Sequence, residues 1–461
     1  MAANSETGGS SESAVASSID DFDIISNKTQ KAVNILRGIT DLTYIESIRH
    51  NTVGVNVTYV DNGVSFGDGQ KSVIEGLPLV GSEKCSIKFT DNNGVSIALG
   101  KDQNNYLFVN KVTPLDNQSE KGLVKLNLVS KEFITNEKGY TRVVRRMDGK
   151  ISDSVDSIFK NNLKTEKKLD IEETENNFNF IPNNKKPMYI LDWISKKSVP
   201  KGKKGESAGF FFWETTNGFH FKSIDWLMDS DKNKPKKSII YNETTDKKGE
   251  SIPEGYQAKA LEFVTDNKIH VQDKFKMGFQ STRIITYNPF DGYYEVKSTE
   301  ANANKVDTAG SELSTTYMNT ELNGEGTGNN YTRTTYYIKD VGTLTASGKE
   351  KTEKQLEKSK DENFEFSNIE NQAIRRYNQL YSAETIVTIG GDFSLHAGDQ
   401  LRVDFSEFNK KDDVDKKDGG SYIISDLVHY ISSSGTFTKM NLVRDSFGRK
   451  GGATSTVASG R

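Results

Sequence analysis

The residues best suited to chemistry in this sequence are a serine and two flanking glycines. Gly205, Ser207 and Gly209 match the G-x-S-x-G pattern of a hydrolase nucleophile, which requires a strand before the serine and a helix after it. Here a lysine-rich stretch precedes the serine, and the strand-like run Phe210-Phe-Phe-Trp213 follows it. The pattern therefore predicts a loop at this position, without a catalytic serine.

Two further candidates are a serine–lysine pair and a pair of glutamates. Ser198 and Lys201 have the S-x-x-K spacing of enzymes that place both residues on one helical turn. Pro200 lies between them, and a proline inside a helix costs about 3 kcal/mol, so we predict that they do not share a helix. Glu172 and Glu173 lie in a polar stretch, where we expect nothing to raise the pKa of either residue.

Acidic and glycine-rich stretches that could bind calcium or phosphate also depart from the known patterns. The stretch 410–419 resembles a calcium loop, but Ile424 occupies the twelfth position from Asp413, where that loop has a glutamate. We therefore predict a hydrated hairpin loop. The glycine-rich stretch 324–328 follows no strand directly and opens no helix, so we predict a flexible loop and no phosphate site.

The residue types that bind metals are not spaced as metal ligands. Cys85 is the single cysteine, so it cannot form an intrachain disulfide, and its strand-like surroundings predict a small buried side chain. No two of the five histidines are paired at a metal-binding spacing; they are His50, His220, His270, His396 and His429. We predict no catalytic, metal-binding or cofactor-binding residue, and no cofactor.

The composition is that of a polar protein without a bias toward nucleic acid. Of the 461 residues, 27% are charged and 34% are hydrophobic, and the net charge is −3, so the chain as a whole does not attract phosphate backbones. The sequence contains no apolar run near the ~20 residues of a membrane helix. The first residues lack the basic start and apolar run of a signal peptide. We expect synthesis and folding in a reducing cytoplasm.

Two stretches far apart in the chain repeat one spacing of residues. Their matched blocks are 83–89 with 399–405, 106–112 with 422–428, and 125–129 with 439–443, and the copies end at Phe133 and Phe447. The offset is constant over the first two pairs of blocks. Cys85, Ile87 and Phe89 alternate with polar residues, which is typical of a strand with one buried face. We therefore predict two copies of a small antiparallel β module.

Changes in composition and hydrophobic period divide the chain into six segments. They are a flexible N-terminal tail at 1–27, the first β module at 28–147, an α/β insertion at 148–233, strands and long loops completing the second module and the insertion at 234–366, the second β module at 367–449, and a flexible C-terminal tail at 450–461. Both tails are rich in small and polar residues, which cannot bury enough apolar surface to order themselves.

The insertion is predicted to alternate helices and strands. Apolar residues at helical spacing predict amphipathic helices at 151–164 and 188–197. The dipeptide Asn217-Gly218 lies between two apolar runs and predicts a hairpin turn, followed by a short helix at 223–228.

Lysine-rich loops flank the predicted helices. They contain no arginine or interleaved aromatic residue, so the pattern is typical of solvated loops and not of a nucleic-acid site. The lysines are Lys185, Lys186, Lys196, Lys197, Lys201, Lys203, Lys204, Lys232, Lys234, Lys236 and Lys237.

A family resemblance begins at the helix before the second module. Ser367-Asn-Ile-Glu370 is a capping box, which predicts a helix through Tyr381. The motifs are Ala-Ile-Arg-Arg-Tyr at 373–377, Val-Thr-Ile-Gly-Gly-Asp-Phe-Ser-Leu-His-Ala-Gly-Asp at 387–399 and Tyr-Ile-Ile-Ser-Asp-Leu-Val-His at 422–429, with a counterpart Gly-Leu-Pro-Leu-Val-Gly-Ser-Glu at 76–83. Together they resemble the central baseplate hub protein of contractile-tailed, T4-like phages, a family related to the hub part of type VI secretion spike proteins.

The resemblance implies a mainly β fold with an α+β insertion and two duplicated antiparallel β-barrel-like tube modules. It implies a homotrimeric ring of pseudo-six-fold symmetry that joins the central spike to the hexameric tail tube or a tube-initiator protein. The ring would enclose the DNA ejection channel without binding DNA specifically, which is consistent with the net charge of −3. The implied location is the tail baseplate of the virion, beside other baseplate proteins, with no membrane segment.

Two other functions stay open at this point. A peripheral receptor- or carbohydrate-binding tail protein could be built on similar β modules, and a cell-wall hydrolase could use Ser207. We predict a structural protein that is not an enzyme, because the candidate motifs do not assemble a catalytic constellation. We expect edge strands of the two modules to form the trimer contacts, because an open module presents unpaired backbone groups that a neighbouring chain can cover.

Overall fold

The structure is a computed structural model that describes most of the chain. The described residues are 17–62, 71–101, 105–117, 121–203, 207–241, 255–265, 272, 276, 281–287, 292–300, 312–313, 333–338, 365–381, 383–407, 410–414 and 419–447. Within these ranges, no helix is both long and apolar enough to cross a membrane.

The first module is an antiparallel sheet. Its strands are β1 (Ser18–Ile25), β2 (Ala32–Asn34), β3 (Ile39–Ser47), β4 (Gly54–Asp61), β5 (Lys84–Thr90), β6 (Ser96–Leu99), β7 (Leu107–Asn117) and β8 (Gly122–Ser130), and its helices are α1 (Val73–Gly76) and α2 (Lys131–Glu137). The strand order is β3, β4, β8, β7, β5, β1, β2, and β6 pairs with β5. Val55, Val57 and Tyr59 alternate along β4 and are buried, as expected of a strand with one core-facing side.

The insertion places helices around a small three-stranded sheet. Its elements are α3 (Ile151–Ile158), a π-helical turn (Phe159–Leu163), β9 (Leu169–Ile171), α4 (Pro187–Ser195), β10 (Phe210–Thr215), β11 (Gly218–Ser223) and α5 (Ile224–Met228). The helices predicted at 151–164 and 188–197 and the hairpin at Asn217-Gly218 are confirmed. Ser223 caps α5, because its Oγ accepts the N–H of Trp226 at 2.9 Å.

The second module lies in the same large sheet as the first. The remaining elements are β12 (Lys237–Tyr241), β13 (Ala258–Lys259), β14 (Glu262–Thr265), β15 (Ser281–Tyr287), β16 (Tyr294–Glu300), β17 (Glu312–Leu313), β18 (Arg333–Ile338), α6 (Phe366–Leu380), β19 (Ala383–Gly390), β20 (Gln400–Glu407), β21 (Lys410–Val414), β22 (Gly420–Ser432), β23 (Gly435–Arg444) and β24 (Ser446–Phe447). Strands β12 to β14 join β19 to β23, whereas β15, β16 and β18 form a separate sheet.

Helix α6 confirms one sequence-based expectation and corrects another. The helix predicted through Tyr381 is present, and Ile369, Ala373 and Leu380, which recur at helical spacing, form a fully buried face. The predicted capping box is wrong, because the helix begins one residue before Ser367. Glu365 therefore occupies the N-cap position, where no side chain caps the helix.

Strand pairing confirms the predicted duplication. In the first module β4 pairs with β8, β8 with β7 and β7 with β5, and in the second module β19, β23, β22 and β20 follow the same antiparallel sequence. Strand β14 pairs with β19 as β3 pairs with β4. Strands β7 and β22 share a bulge at equivalent positions, Asn110 in β7 and Ser425 in β22, and Asn127 and Asn441 lie opposite these bulges. Strand β7 has a second bulge, at Leu115. The predicted match of 125–129 with 439–443 is therefore correct.

The offset between the two copies is not constant, contrary to the expectation from the sequence. Cys85 lies opposite Leu107, whereas its counterpart Leu401 lies opposite Tyr422. Tyr422 thus corresponds to Leu107 and not to Tyr106. The connection between the first and second matched strands is one residue shorter in the second module, which a comparison of residue types could not reveal.

The loops before β5 and β20 also share their geometry. The carboxylate of Glu83 accepts the N–H of Val80 at 2.8 Å, and the carboxylate of Asp399 accepts the N–H of His396 at 2.9 Å. The residues directly before these two carboxylates both have positive φ, at 62° and 91°. The duplication therefore extends from the strands to a side chain that caps the loop.

Candidate assembly interface

The serine of the hydrolase-like motif is buried in the insertion. Ser207 is fully buried, and a strand, β10, begins three residues after it. The N–H of Gly209 donates to the carbonyl of Ser198 at 3.1 Å, while Gly205 lies outside the described residues. The predicted loop is confirmed for 207–209, and this geometry differs from an exposed serine between a strand and a helix.

The serine and lysine of the S-x-x-K pattern lie in different environments. Helix α4 ends before Ser198, which is fully buried and donates its Oγ–H to the carbonyl of Ile194 at 2.8 Å. The Lys201 side chain is exposed and pairs with Glu173 at 2.7 Å. The prediction that the two residues do not share a helix is confirmed.

The glutamate pair corrects an expectation from the sequence. Burial raises the pKa of Glu172, whose carboxylate accepts the N–H and Oγ–H of Ser223 at 2.8 and 3.1 Å. Glu173 lies at the surface, where hydrogen bonds from Lys150 and Lys201 lower its pKa to about 2. The expectation that nothing raises either pKa is wrong, because the fold packs Glu172 against the first turn of α5.

Metal-binding residue types do not gather in the part of the chain that the structure describes. No group of three or more His, Cys, Asp or Glu side chains there could hold a metal ion. The Nδ1 of His429 lies 2.9 Å from Oγ1 of Thr438, and burial lowers the pKa of this histidine to about 4. The Nε2 of His220 lies 3.0 Å from Oγ1 of Thr215. His270 lies outside the described residues.

The acidic stretch resembling a calcium loop forms part of a hairpin. Its first residues, 410–414, form β21, which runs antiparallel to β20. The predicted hairpin is therefore confirmed for this part. Residues 415–418 and the glycine-rich stretch 324–328 lie outside the described residues.

One lysine of the supposedly solvated loops is buried. Lys197 is 3% exposed and forms an ion pair with Glu370. Its Nζ lies 5.2 Å from the ring centroid of Trp193 and 5.3 Å from that of Phe178, so aromatic faces and a carboxylate compensate its charge. The prediction of a solvated loop is wrong here, because α6 reaches this lysine from far along the chain.

The two modules join edge to edge through their strands. Strand β3 of the first module pairs antiparallel with β22 of the second, from Ser47 opposite Asp426 to Asp41 opposite Ser432. The sheet therefore continues from one module into the other. This junction is a candidate assembly interface, because it shows how two such modules bind each other through backbone groups that each would otherwise leave unpaired.

A buried carboxylate connects β3 to the loop before β20. Glu46 is fully buried, and its Oε1 accepts the hydroxyl of Tyr44 at 2.6 Å. Its Oε2 accepts the N–H of Ala397 at 2.9 Å, and Nδ1 of His396 lies 3.2 Å from Oε1. A backbone N–H of the insertion, from Thr216, also donates to Oε1 at 3.0 Å. One side chain thus joins both modules and the insertion.

A second carboxylate lies at the end of the ladder. Asp426 of β22 accepts hydrogen bonds from Ser47 and from Arg49, whose terminal nitrogen lies 2.5 Å from Oδ2. The side-chain amide of Asn441 donates to the same oxygen at 3.2 Å. Asp426 of β22 is therefore bonded both to the end of β3 and to the neighbouring strand β23.

Aromatic side chains fill the space between the two modules. Tyr44 stacks on His429 with ring centroids 5.9 Å apart, and Phe393 meets both Phe89 and His429 edge to face at 5.1 and 4.8 Å. All four are buried. Because two come from each module, these rings stabilise the junction by apolar burial as well as ring geometry.

The insertion packs against the same loop of the second module. Nε1 of Trp213 donates to the carbonyl of Ala397 at 3.0 Å. A Cβ on Gly398 would lie 2.5 Å from Cζ2 of this tryptophan, and the φ of Gly398 is 91°. Glycine is thus required here both by its backbone conformation and by the close approach of the indole.

The patterns in the sequence do not mark Glu46 and Asp426, the acidic residues at the junction, as functional residues. The signal in β3 is a glutamate on the face that Leu42 and Tyr44 also occupy, since alternate residues of a strand share one face. A charged residue on an apolar face indicates that the structure supplies a buried partner for its charge. That this partner is His396 depends on tertiary structure and could not be predicted from the strand pattern.

Known protein structures resemble this chain, although comparison with protein-family models and curated sequences finds no match. The 43 kDa tail protein of prophage MuSo2 from Shewanella oneidensis matches with a TM-score of 0.52 and 11% sequence identity, over 93% of this chain and 99% of that one. The tail protein from Neisseria meningitidis MC58 matches with a TM-score of 0.51 and 9% identity, over 92% and 96%. The chain has the fold of these tail proteins.

The likeness extends over nearly the whole length of both tail proteins. A third structure, a type VI secretion component from E. coli described as similar to T4 bacteriophage tail proteins, matches at a TM-score of 0.43 and 6% identity, over 94% of this chain and 79% of that one. The predicted resemblance to phage tail proteins and the mainly β fold class with helical insertions are confirmed. At these identities the likeness is one of fold.

Proposed function

We propose that this chain is the structural hub of a phage tail baseplate, a homotrimer whose six modules form a ring of pseudo-six-fold symmetry. The observation that carries the proposal is the ladder between β3 and β22, which joins two equivalent modules edge to edge. Two equivalent modules per chain supply two of six positions, so three chains complete a closed ring.

The proposed partners follow from this symmetry. A ring of six similar modules offers equivalent docking positions to a hexameric tail tube or its initiator, while its three-fold symmetry suits a trimeric central spike. The ring would enclose the channel through which DNA passes at ejection. A net charge of −3 fits a wall that does not retain DNA by charge. Neighbouring baseplate proteins would complete the surroundings in the virion.

Each segment of the chain has a role in this proposal. Segments 28–147 and 367–449 form the ring modules, and the strands β12 to β14 within 234–366 complete the second one, as their place beside β20 and β19 supports. The insertion at 148–233 and its lysines would face other baseplate proteins. The N-terminal tail predicted at 1–27 is too long, because Ser18–Ile25 forms β1, which pairs with β5 of the first module and buries Phe22 and Ile24. Strand β1 therefore belongs to that ring module, while residues 1–16 and 450–461 lie outside the described residues.

The proposed role is structural and needs no catalytic step. The burial of Ser207 and the capping role of Glu172 support this. Wall cleavage would then belong to another chain. A Ser207→Ala variant tests the point, because loss of a wall-degrading activity that the unaltered protein shows would contradict a purely structural role.

Mass measurement tests the assembly. Mass photometry of the full-length chain, alone and with the central spike of the same phage, should show three copies per spike. Electron microscopy of labelled virions should place the chain at the baseplate centre. A monomer in the presence of the spike, with label at the tail periphery and glycan binding by the isolated chain, would favour a receptor-binding protein and contradict the hub.

A further inference from the structure

We propose that β7 of one copy pairs antiparallel with β14 of the next copy, repeating between chains the ladder that joins the modules within a chain. This interface rests on the trimer proposed above and specifies its strands. By strand pairing, β14 is the counterpart of β3 and β7 is the counterpart of β22. Since β3 binds β22 at one module boundary, the same relation at the next boundary brings β14 to β7.

Strand β7 is exposed where its counterpart is covered. The second half of β22 lies between β23 and β3. On the corresponding side of β7, strand β5 covers only the first two residues, and the described part of the chain supplies no strand for the rest. Leu427 and His429 of β22 are fully buried. Their counterparts in β7 are less buried, since Val112 is half-buried and Pro114 is exposed.

Strand β14 lacks the neighbour that its counterpart has. Strand β3 lies between β4 and β22, whereas β14 pairs with β19 on one side and with no described strand on the other. Leu42 and Tyr44 of β3 are fully buried. Their counterparts in β14 are less buried, since Phe263 is half-buried and Thr265 is exposed. The strand missing from each edge is the one that a neighbouring copy would supply.

The intrachain ladder also fixes the register between chains. Tyr430 of β22 lies opposite Thr43 of β3. The counterpart of Tyr430 in β7 is Asp116, because Leu115 bulges out of β7 and shifts the count by one residue. The counterpart of Thr43 in β14 is Val264. The facing pairs are therefore Pro114 with Thr265, Asp116 with Val264, and Asn117 with Phe263.

The residues at both edges suit a contact that closes into a ring. Leu115 is 52% exposed and Val264 is 47% exposed, so pairing of the two edges would remove apolar surface from water that the single chain leaves exposed. Pro114 is a residue type confined to strand edges, and β14 has only four residues, two features that limit uncontrolled strand addition. Because each chain offers one edge of each kind, the contact is head to tail, and the trimer proposed above requires its rotation to close after three copies.

A disulfide between facing residues tests the pairing. In the full-length chain with Asp116→Cys and Val264→Cys, the new cysteines of adjacent copies would lie on facing strand positions, where Cβ atoms are about 4.5–5.5 Å apart. We expect mild oxidation to yield covalent dimers and trimers on a non-reducing gel. The single variants and the combination of Asp116→Cys with Tyr336→Cys, 73% exposed in another sheet, should yield neither. Cys85 can stay, because it is fully buried.

A charge at the edge gives a measurement that needs no disulfide. Val264→Asp places a solvated carboxylate on an exposed position of the single chain, so the module should fold. In the interface this carboxylate would face Asp116, and like charges on facing strand positions destabilise the pairing. We expect loss of the trimer peak in mass photometry, at a concentration where the unaltered chain and Tyr336→Asp both show it.

The outcomes separate this interface from the hub itself. A trimer that forms without the 116–264 disulfide and survives Val264→Asp overturns the strand pairing and leaves the hub standing. Disulfide-linked filaments without closed trimers uphold the pairing and overturn the ring. A chain that gives neither a trimer nor a disulfide, with or without the spike, overturns both.

Discussion

Nδ1 of His396 lies 3.2 Å from Oε1 of Glu46, and this contact joins the loop before β20 to strand β3. Burial alone would lower the pKa of His396, but the charge of Glu46 raises it above its ordinary value. Burial would raise the pKa of Glu46, but the charge of His396 and hydrogen bonds from His396, Tyr44 and Ala397 bring it below the ordinary value. When His396 is protonated, the two modules therefore share an ion pair at their boundary.

Stability should depend on pH through this pair. A histidine whose pKa is raised by folding stabilises the fold fully below its unfolded pKa of about 6.5, and this contribution is lost as the pH rises through the folded pKa. Glu46 stabilises the fold fully above its unfolded pKa of about 4.3, and this contribution to stability is lost as the pH falls through its lowered pKa in the folded state. We expect the difference in unfolding free energy between the unaltered chain and His396→Asn to be largest between these values and to shrink as the pH rises through the raised pKa of folded His396.

Urea unfolding over this pH range measures the difference, and Glu46→Gln is the control. This substitution keeps the shape of the side chain but removes the charge that raises the histidine pKa most, since the charge of Asp399 raises it less. In the Glu46→Gln background, the cost of replacing His396 should fall less with rising pH than it does in the unaltered background. A cost that is independent of pH in the unaltered background would show that the contact acts without charge.

The strands could be predicted from the sequence more completely than the junction. Alternation identifies β5 and its copy β20, because burial of one face leaves a period of two in the sequence. The one-residue shift of Tyr422 against Tyr106 could not be found, because loop lengths are free to vary while residue types match by chance. Glu46 and His396, 350 positions apart, meet only through tertiary structure, which no local pattern encodes.

Replacing Asp426 should destabilise the junction more than replacing its arginine partner. Asp426→Ala leaves the Ser47 hydroxyl, the Asn441 amide and Arg49 without an acceptor, so we expect a loss of about 1–3 kcal/mol in unfolding free energy. The Arg49 side chain is 48% exposed, so Arg49→Ala should cost no more than about 1 kcal/mol.

Urea unfolding compares the two variants with a surface control. Lys160→Ala removes an exposed pair with Asp156 at one helical turn, 2.8 Å apart, and should cost about 0.5 kcal/mol or less. Equal effects for Asp426→Ala and Arg49→Ala would mean that the salt bridge, and not the set of hydrogen bonds, is what Asp426 contributes.

Adding a methyl group at Gly398 should disturb the contact with the insertion. Gly398→Ala must adopt a positive φ and also places Cβ 2.5 Å from Trp213, so we expect a cost of about 2–4 kcal/mol. Gly81→Ala is the matched control, because its φ is 102° but no atom lies near the added Cβ; backbone strain alone should cost about 1–2 kcal/mol.

Thermal unfolding and the emission of Trp213 distinguish these two effects. A displaced indole should change its emission in Gly398→Ala, while Gly81→Ala leaves the spectrum unaltered. If both variants lose the same stability and keep the same emission, the close approach of the tryptophan has no energetic consequence.

Breaking the buried pair between Arg376 of α6 and Asp225 of α5 should destabilise the chain more than removing both charges. The two side chains are 2% and 1% exposed, so Arg376→Met leaves a buried carboxylate without its cation and should cost about 3–5 kcal/mol. The double variant Arg376→Met with Asp225→Leu removes the uncompensated charge and should recover part of this loss, since apolar residues can replace a buried ion pair with little net cost. Urea unfolding of both single variants and the double variant forms a complete cycle. Additive losses would show that each side chain is stabilised by other neighbours, and that this ion pair does not hold α6 to the insertion.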